Sequence, residues 1–217
     1  RQSGKYRGTV LYRQHKQHLA QVQGVLLYSS EREMRNRMLQ TFYPDLYMDS
    51  AYGIDYEEYY RRGFRGIIFD IDNTLVEHGA PADERSIALM ERLKKTGFQI
   101  MLLSNNKEPR VKMFNDKVHV SYIFKAGKPA KRGYEEAMSK MGTDRGTTLF
   151  VGDQLFTDVW GARRVGIFSI LTRPIDKKEE IQIILKRRLE WIVLYFYKKK
   201  CRKEGTEFLV HGNGNGR

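Results

Sequence analysis

The stretch Arg65-Gly66-Ile67-Ile68-Phe69-Asp70-Ile71-Asp72-Asn73-Thr74-Leu75-Val76 constrains the fold more than any other part of this chain. Arg65 to Phe69 is an apolar, β-branched and aromatic run punctuated by Gly63 and Gly66. That is the pattern of a strand covered on both faces, and so of a parallel sheet. Asp70 and Asp72 follow at once, at the carboxyl end of the strand, where open α/β sheets bind their ligands.

The same grammar repeats downstream. Asp55 with Glu57 and Glu58 starts a helix that Gly63 closes, and Asp83 caps a second helix that Gly97 ends. Phe98 to Leu103 reads as a strand leading into Ser104-Asn105-Asn106, and a helix around Pro109 to Asp116 follows. A short strand, Ser121 to Phe124, then precedes Lys128-Pro129 and a helix terminated by Gly142. Thr147 to Val151 runs into Gly152-Asp153, and Ile167 to Leu171 is the fifth strand. Strand and helix alternate with connections that demand a parallel sheet in one α/β domain. The polar residues fall repeatedly at strand ends, so separate segments converge on one edge of that sheet.

Two carboxylates, a hydroxyl and a lysine on one edge suit phosphoryl transfer. Asp70 is placed to attack phosphorus, and Asp72 to protonate the leaving oxygen and later deprotonate water. Carboxylates facing a phosphate require a cation, and oxygen ligands at this density suit Mg²⁺. Asp153 is the candidate direct ligand, with Asp158 beside it. Ser104 offers a hydroxyl, Asn105 a backbone N–H and Lys128 a fixed positive charge to phosphate oxygens. Each residue alone also fits a turn, a cap or a solvated surface. It is their joint order that points to a site.

With these motifs in place, the chain resembles the haloacid dehalogenase superfamily. The matching segments are DIDNT from Asp70 to Thr74, LLSNN ending at Asn106, GKP around Lys128, and GDQLFTD ending at Asp158. The resemblance implies a Rossmann-like three-layer α/β/α fold and Mg²⁺ dependence, with Asp70 as nucleophile and Asp72 as acid and base. It further implies metal held by Asp70, the Asp72 carbonyl and Asp153 with support from Asp158, and Thr74 among the phosphate-binding residues. From about Met38 to Lys200 the chain is similar to the YqeG-type phosphatases, a group related to phosphatidylglycerophosphate phosphatases.

Neither the Asp72 to Asn105 interval nor the shorter one from Ser104 to Lys128 has room for a cap domain, so the site is expected to be open and its phosphate to sit on something large. Charge separates the candidates. Of the net +13, residues 1–37 contribute 8 Lys/Arg against 2 Asp/Glu and residues 177–217 contribute 11 against 5, which leaves the middle nearly neutral. That distribution disfavours a nucleic-acid substrate, which would call for a basic patch near the motifs.

The segment 177–203 has Ile181, Ile184, Leu185, Leu189, Ile192, Val193 and Phe196 at helical spacing, followed by Lys198-Lys199-Lys200-Cys201-Arg202-Lys203. This basic amphipathic helix either covers the sheet or lies on an anionic membrane surface. A phosphorylated lipid headgroup is therefore the expected substrate; a nucleic-acid end, another macromolecular phosphate or a non-enzymatic assembly role are the alternatives. The expected layout is a disordered or non-native leader at 1–37, the capless catalytic domain at 38–176, this helix, and a disordered tail at 204–217. A single cysteine and the lack of an apolar export signal point to a cytoplasmic protein, peripheral on the inner face of the membrane.

Overall fold

The strand that leads into Asp70, Gly66–Phe69, is buried along its whole length, and its first residue is packed closely enough to favour glycine. A Cβ on Gly66 would lie 2.8 Å from the Thr143 hydroxyl oxygen, so glycine lets the Thr143 side chain lie across the strand's first residue. The computed structural model describes residues 38–176 and 181–211, the side chains of 181–187 excepted. The expected leader at 1–37 and the last residues of the tail lie outside the described residues. Met38 to Gln40 are helical, and Thr41 onwards forms one unit.

That unit contains β1 (Leu46–Met48), α1 (Tyr56–Arg61), β2 (Gly66–Phe69), α2 (Glu84–Thr96), β3 (Gln99–Leu103), α3 (Glu108–Val118), β4 (Ser121–Ile123), α4 (Lys131–Met141), β5 (Thr148–Gly152), α5 (Trp160–Val165), β6 (Phe168–Thr172) and α6 (Ile181–Glu204). The caps act as their residue types dictate. Asp55 accepts from Glu58 N–H, Asp83 and Ser86 form a reciprocal box, and Gly97 and Gly142 end their helices in the left-handed conformation.

All six strands are parallel, in the order β1-β6-β5-β2-β3-β4. Side chains alternate across the sheet. Ile67 and Phe69 join Leu89, Leu93 and Phe114 on one face, while Ile68 packs with Tyr134, Ala137 and Ala162 on the other. The result is the three-layer α/β/α arrangement, with no domain inserted between strands among the described residues. The chain leaves β2 towards β4 on one side and returns through β5 and β6 on the other, so its direction reverses between β2 and β5. That switch point opens a crevice at the carboxyl ends of the two central strands.

The sheet has one strand more than the five expected. β1 has only three residues and pairs with β6, while Asp45 beside it accepts from Ser169 N–H at 2.8 Å and pairs with Arg163 at 2.7 Å. Residues 205–211, expected to be disordered, pack on this edge. Val210 N–H donates to Tyr47 C=O at 2.8 Å, and Phe208 packs against Tyr47 and Tyr197. An aromatic cluster holds them there, although the Gly- and Asn-rich residues beyond suggest a tail throughout.

Helix α6 also differs from expectation. Its seam against the body is Glu190, Val193, Tyr197 and Cys201, all buried, with Tyr197 against Tyr43. The apolar face read from the sequence is split: Val193 is in this seam, whereas Leu189 and Ile192 are exposed together with Trp191 and Tyr195. The side chains of Ile181, Ile184 and Leu185 lie outside the described residues. At about 100° per residue, Arg188, Trp191, Ile192, Tyr195, Lys199 and Arg202 form an outward stripe opposite the seam. Among the described residues no helix is long and apolar enough to cross a membrane.

Candidate active site

Asp70 follows β2 as Asp153 follows β5, so the parallel pairing of these strands sets the two carboxylates side by side at the switch point. Asp158 joins them, and one oxygen from each of the three lies within 4.8 Å of the others. Lys128, from the β4–α4 loop, reaches across with its Nζ 2.6 Å from Asp70 Oδ1 and 2.8 Å from Asp158 Oδ1. All four side chains are buried. Burial opposes the Lys128 ammonium, but Asp158 and then Asp70 outweigh it and hold its pKa above the ordinary lysine value. Burial dominates at Asp70, whose pKa is pushed up to about 7; Lys128 opposes the rise and Asp158 adds to it.

The remaining residues read from the sequence surround this cluster. Thr74 Oγ1 donates to Asp153 Oδ1 at 3.4 Å. Ser104 is buried, and its Oγ accepts from Asn106 N–H at 3.1 Å. Asn105 acts through its side chain, accepting from Lys128 N–H at 2.7 Å and donating to Lys128 C=O at 3.1 Å. It thereby fixes the backbone from which the lysine projects. Asn73 adopts the left-handed conformation at φ 62° that asparagine tolerates, and its carbonyl accepts from Ile175 N–H at 3.0 Å.

The Asp72 carboxylate is not part of the Asp70–Asp153–Asp158 group. Its Oδ1 accepts from Arg110 Nη2 at 2.8 Å, Arg110 Nε at 3.1 Å and Gly79 N–H at 2.8 Å, and its Oδ2 accepts from Asn106 Nδ2 at 2.6 Å. Sequence reasoning gave neither Arg110 nor Asn106 a role. One signal was available: Arg110 stands in the first turn of α3, where the helix dipole disfavours a cation, so a carboxylate partner was to be sought.

The loop after β5 folds back on itself. A π-helical turn, Leu155–Val159, links it to α5, and Asp158 Oδ2 accepts from Gln154 N–H at 3.0 Å. The next amide, Leu155 N–H, is met from α6 by Glu190 Oε1 at 2.8 Å. Tyr134 Oη donates to Thr157 C=O at 2.7 Å, over Gly161, where a side chain would overlap the ring. Gly152 is needed for the same spatial reason, because a Cβ there would lie 2.5 Å from Asp158 Oδ2 and 2.7 Å from its Cγ. Gly152→Ala is accordingly expected to displace Asp158 and loosen Lys128, lowering turnover on the order of 10²-fold while the protein stays folded. Steady-state kinetics beside a thermal melt would check this; wild-type turnover in the alanine variant would count against the packing argument.

The donor set fits a hard divalent cation. Three buried carboxyl groups face one ammonium, and the available ligand atoms are oxygens.

Comparison with known proteins gives the chain its relatives. A model of the haloacid dehalogenase-like hydrolases matches residues 79–166. The chain is 35% identical over 165 residues to the probable phosphatase YqeG of Bacillus subtilis (strain 168), covering 75% of this chain and 96% of that protein. It is 31% identical over 175 residues to phosphatidylglycerophosphate phosphatase 1, chloroplastic/mitochondrial, of Arabidopsis thaliana, covering 72% of this chain. That protein is longer, and the match spans 48% of it. Among solved structures, an uncharacterized protein from Listeria monocytogenes serotype 4b aligns with a TM-score of 0.44 at 14% identity, over 58% of this chain and 99% of that one.

Proposed function

This chain belongs to the haloacid dehalogenase-like hydrolases, and from that membership we propose that it is a Mg²⁺-dependent phosphatase that removes phosphate from phosphatidylglycerophosphate at a membrane surface. The observation that carries the reaction type is the buried group of Asp70, Asp153 and Asp158 bridged by Lys128 at the switch point of the sheet.

In this reading an Asp70 oxygen attacks phosphorus as the bond from phosphorus to the ester oxygen breaks, and Asp72 gives its proton to that oxygen. Water then attacks the phosphorus of the aspartyl phosphate, passing a proton to Asp72, and inorganic phosphate leaves as the Asp70 carboxylate is restored. Lys128, Ser104 and the Asn105 N–H hold phosphoryl oxygens, with Thr74 beside them. Asp70, Asp153 and Asp158, with the Asp72 carbonyl, would hold Mg²⁺, which when bound offsets the carboxylate charge and draws charge from the phosphoryl oxygens.

Three features support the lipid. No inserted domain covers the crevice among the described residues, so a phosphate carried on an extended surface can reach it. The outward stripe of α6 sets Trp191, Ile192 and Tyr195 ahead of Lys199 and Arg202, with Lys198 and Lys203 flanking it, all exposed. Apolar groups entering the interface beside lysines and arginines, each worth about 1 kcal/mol near anionic lipid, would seat the helix on a membrane. The similarity to a protein named for this substrate points the same way.

Phosphate release from phosphatidylglycerophosphate in detergent micelles with Mg²⁺, set beside release from a generic monoester, tests the substrate. Hydrolysis of the generic ester alone would sink the lipid assignment. Co-sedimentation with anionic vesicles is expected to fall at least tenfold in a Trp191→Ser, Tyr195→Ser variant with turnover of the soluble ester unchanged; wild-type sedimentation by that variant would remove α6 from the membrane.

A further inference from the structure

We propose that Arg110 is a positioning residue for Asp72, holding that carboxylate for proton transfer to the leaving oxygen. The inference rests on the phosphatase reading above and extends it to the leaving-group side of the reaction.

The geometry is specific. Arg110 presents two N–H groups to a single oxygen, Asp72 Oδ1, with Nη2 at 2.8 Å and Nε at 3.1 Å. Gly79 N–H brings a third donor to the same atom. Oδ1 is thereby saturated, and Oδ2, which accepts only from Asn106 Nδ2 among these groups, is the oxygen left to carry and deliver a proton. Proton transfer demands hydrogen-bond distance and alignment, and an aspartate free to rotate about two torsions would rarely meet both. Arg110 removes that freedom from a rigid base, since α3 begins directly after the Ser104–Asn106 turn at the end of β3.

The pair is also largely withdrawn from water, with Arg110 at 14% and Asp72 at 11% side-chain exposure. A surface ion pair held only by charge would not need such enclosure. The third guanidinium nitrogen supplies an independent observation. Nη1 of Arg110 is fully enclosed, yet it has no hydrogen-bond partner. Buried donors are almost always satisfied, so a guanidinium that gives two N–H groups to one Asp72 oxygen and leaves its third nitrogen unpaired is aimed at that oxygen. An arginine serving the fold alone would be expected to have its fork filled.

The test uses two esters that differ in their need for an acid. A p-nitrophenolate departs from phosphorus without a proton, whereas the alkoxide of a glycerol phosphate headgroup requires one. With Mg²⁺ present, Arg110→Ala is expected to lower kcat on the alkyl ester on the order of 10²- to 10³-fold and on p-nitrophenyl phosphate by less than about tenfold. Asp72→Asn should show the same split, and adding Arg110→Ala to it should cost nothing further on the alkyl ester. Should the alanine variant fail to fold, Arg110→Lys, which cannot direct two bonds to one oxygen, is expected to reproduce the split in weaker form.

Equal losses on both esters, full activity on both, or additive losses in the double variant would each overturn the assignment. A wild-type protein that turned over neither ester would instead bring down the phosphatase reading, and this inference with it.

Discussion

Asp70→Asn is expected to abolish turnover, on the order of 10⁴- to 10⁶-fold, and at the same time to flatten the pH dependence of stability of the metal-free protein. The first effect follows from removing the atom proposed to attack phosphorus. The second follows from where that atom sits. In the folded chain burial pushes the Asp70 carboxyl up to about 7, against 3.8 for the group in the open. Between about pH 4 and pH 7 the folded state therefore binds a proton that the unfolded state has released, and stability falls as the pH rises through that window.

Lys128 stays protonated in both states throughout the window, so it does not cancel the trend. Asparagine cannot ionise, and the variant should lose less stability than the wild type between pH 5 and pH 8 in chelator. Urea unfolding of both proteins at the two pH values checks this, and parallel slopes would refute it. Added Mg²⁺ should restore wild-type stability at pH 8 more than it does that of the variant, because part of the cost in the wild type is carboxylate repulsion.

Lys128→Met is expected to be the most destabilising single change at the site. The ammonium is the positive charge between Asp70 and Asp158, at 2.6 and 2.8 Å, and all three groups are buried. Removing one partner of such a group leaves uncompensated charge in the interior, at a cost of about 3–5 kcal/mol. Methionine keeps the length and the packing, so the loss reports charge rather than a cavity. It should shrink towards acid pH as the Asp70 carboxyl takes up a proton, and Mg²⁺ should recover part of it by supplying positive charge to the same oxygens. Turnover should fall as well, since Lys128 is the cation paired with Asp70, the proposed nucleophile. A melt of the variant matching the wild type at pH 8 would contradict the ion-pair account.

Most of the site was legible before the fold because its residues sit at the ends of strands whose apolar runs are self-evident. Phe69 and Val151 are buried strand residues, and the carboxylates that follow them had no other place to go. The helix limits at Asp55, Asp83, Gly97 and Gly142 were equally local, since each cap contacts residues a few positions away. What escaped notice depends on partners distant in sequence. β1 is three residues long and gains its place from β6 and Val210, neither of which its own pattern announces. Arg110 takes its meaning from Asp72, 38 positions earlier, and Glu190 from Leu155, 35 positions earlier. Periodicity revealed that α6 was amphipathic but not which stripe was docked. The seam is chosen by Glu190 and by the Tyr43–Tyr197 contact, not by hydrophobicity alone.

The bond from Glu190 to Leu155 has a thermodynamic consequence. Glu190 and Trp191 are adjacent on one helix, the first anchoring the loop between Asp153 and Asp158 and the second turned to solvent. Two sites that share one rigid element are coupled, and such coupling is reciprocal. Anything that binds the outer stripe more tightly when the helix is seated must stabilise the anchored loop by the same free energy. A cation held by that loop must, in return, strengthen the hold of the outer stripe on its partner.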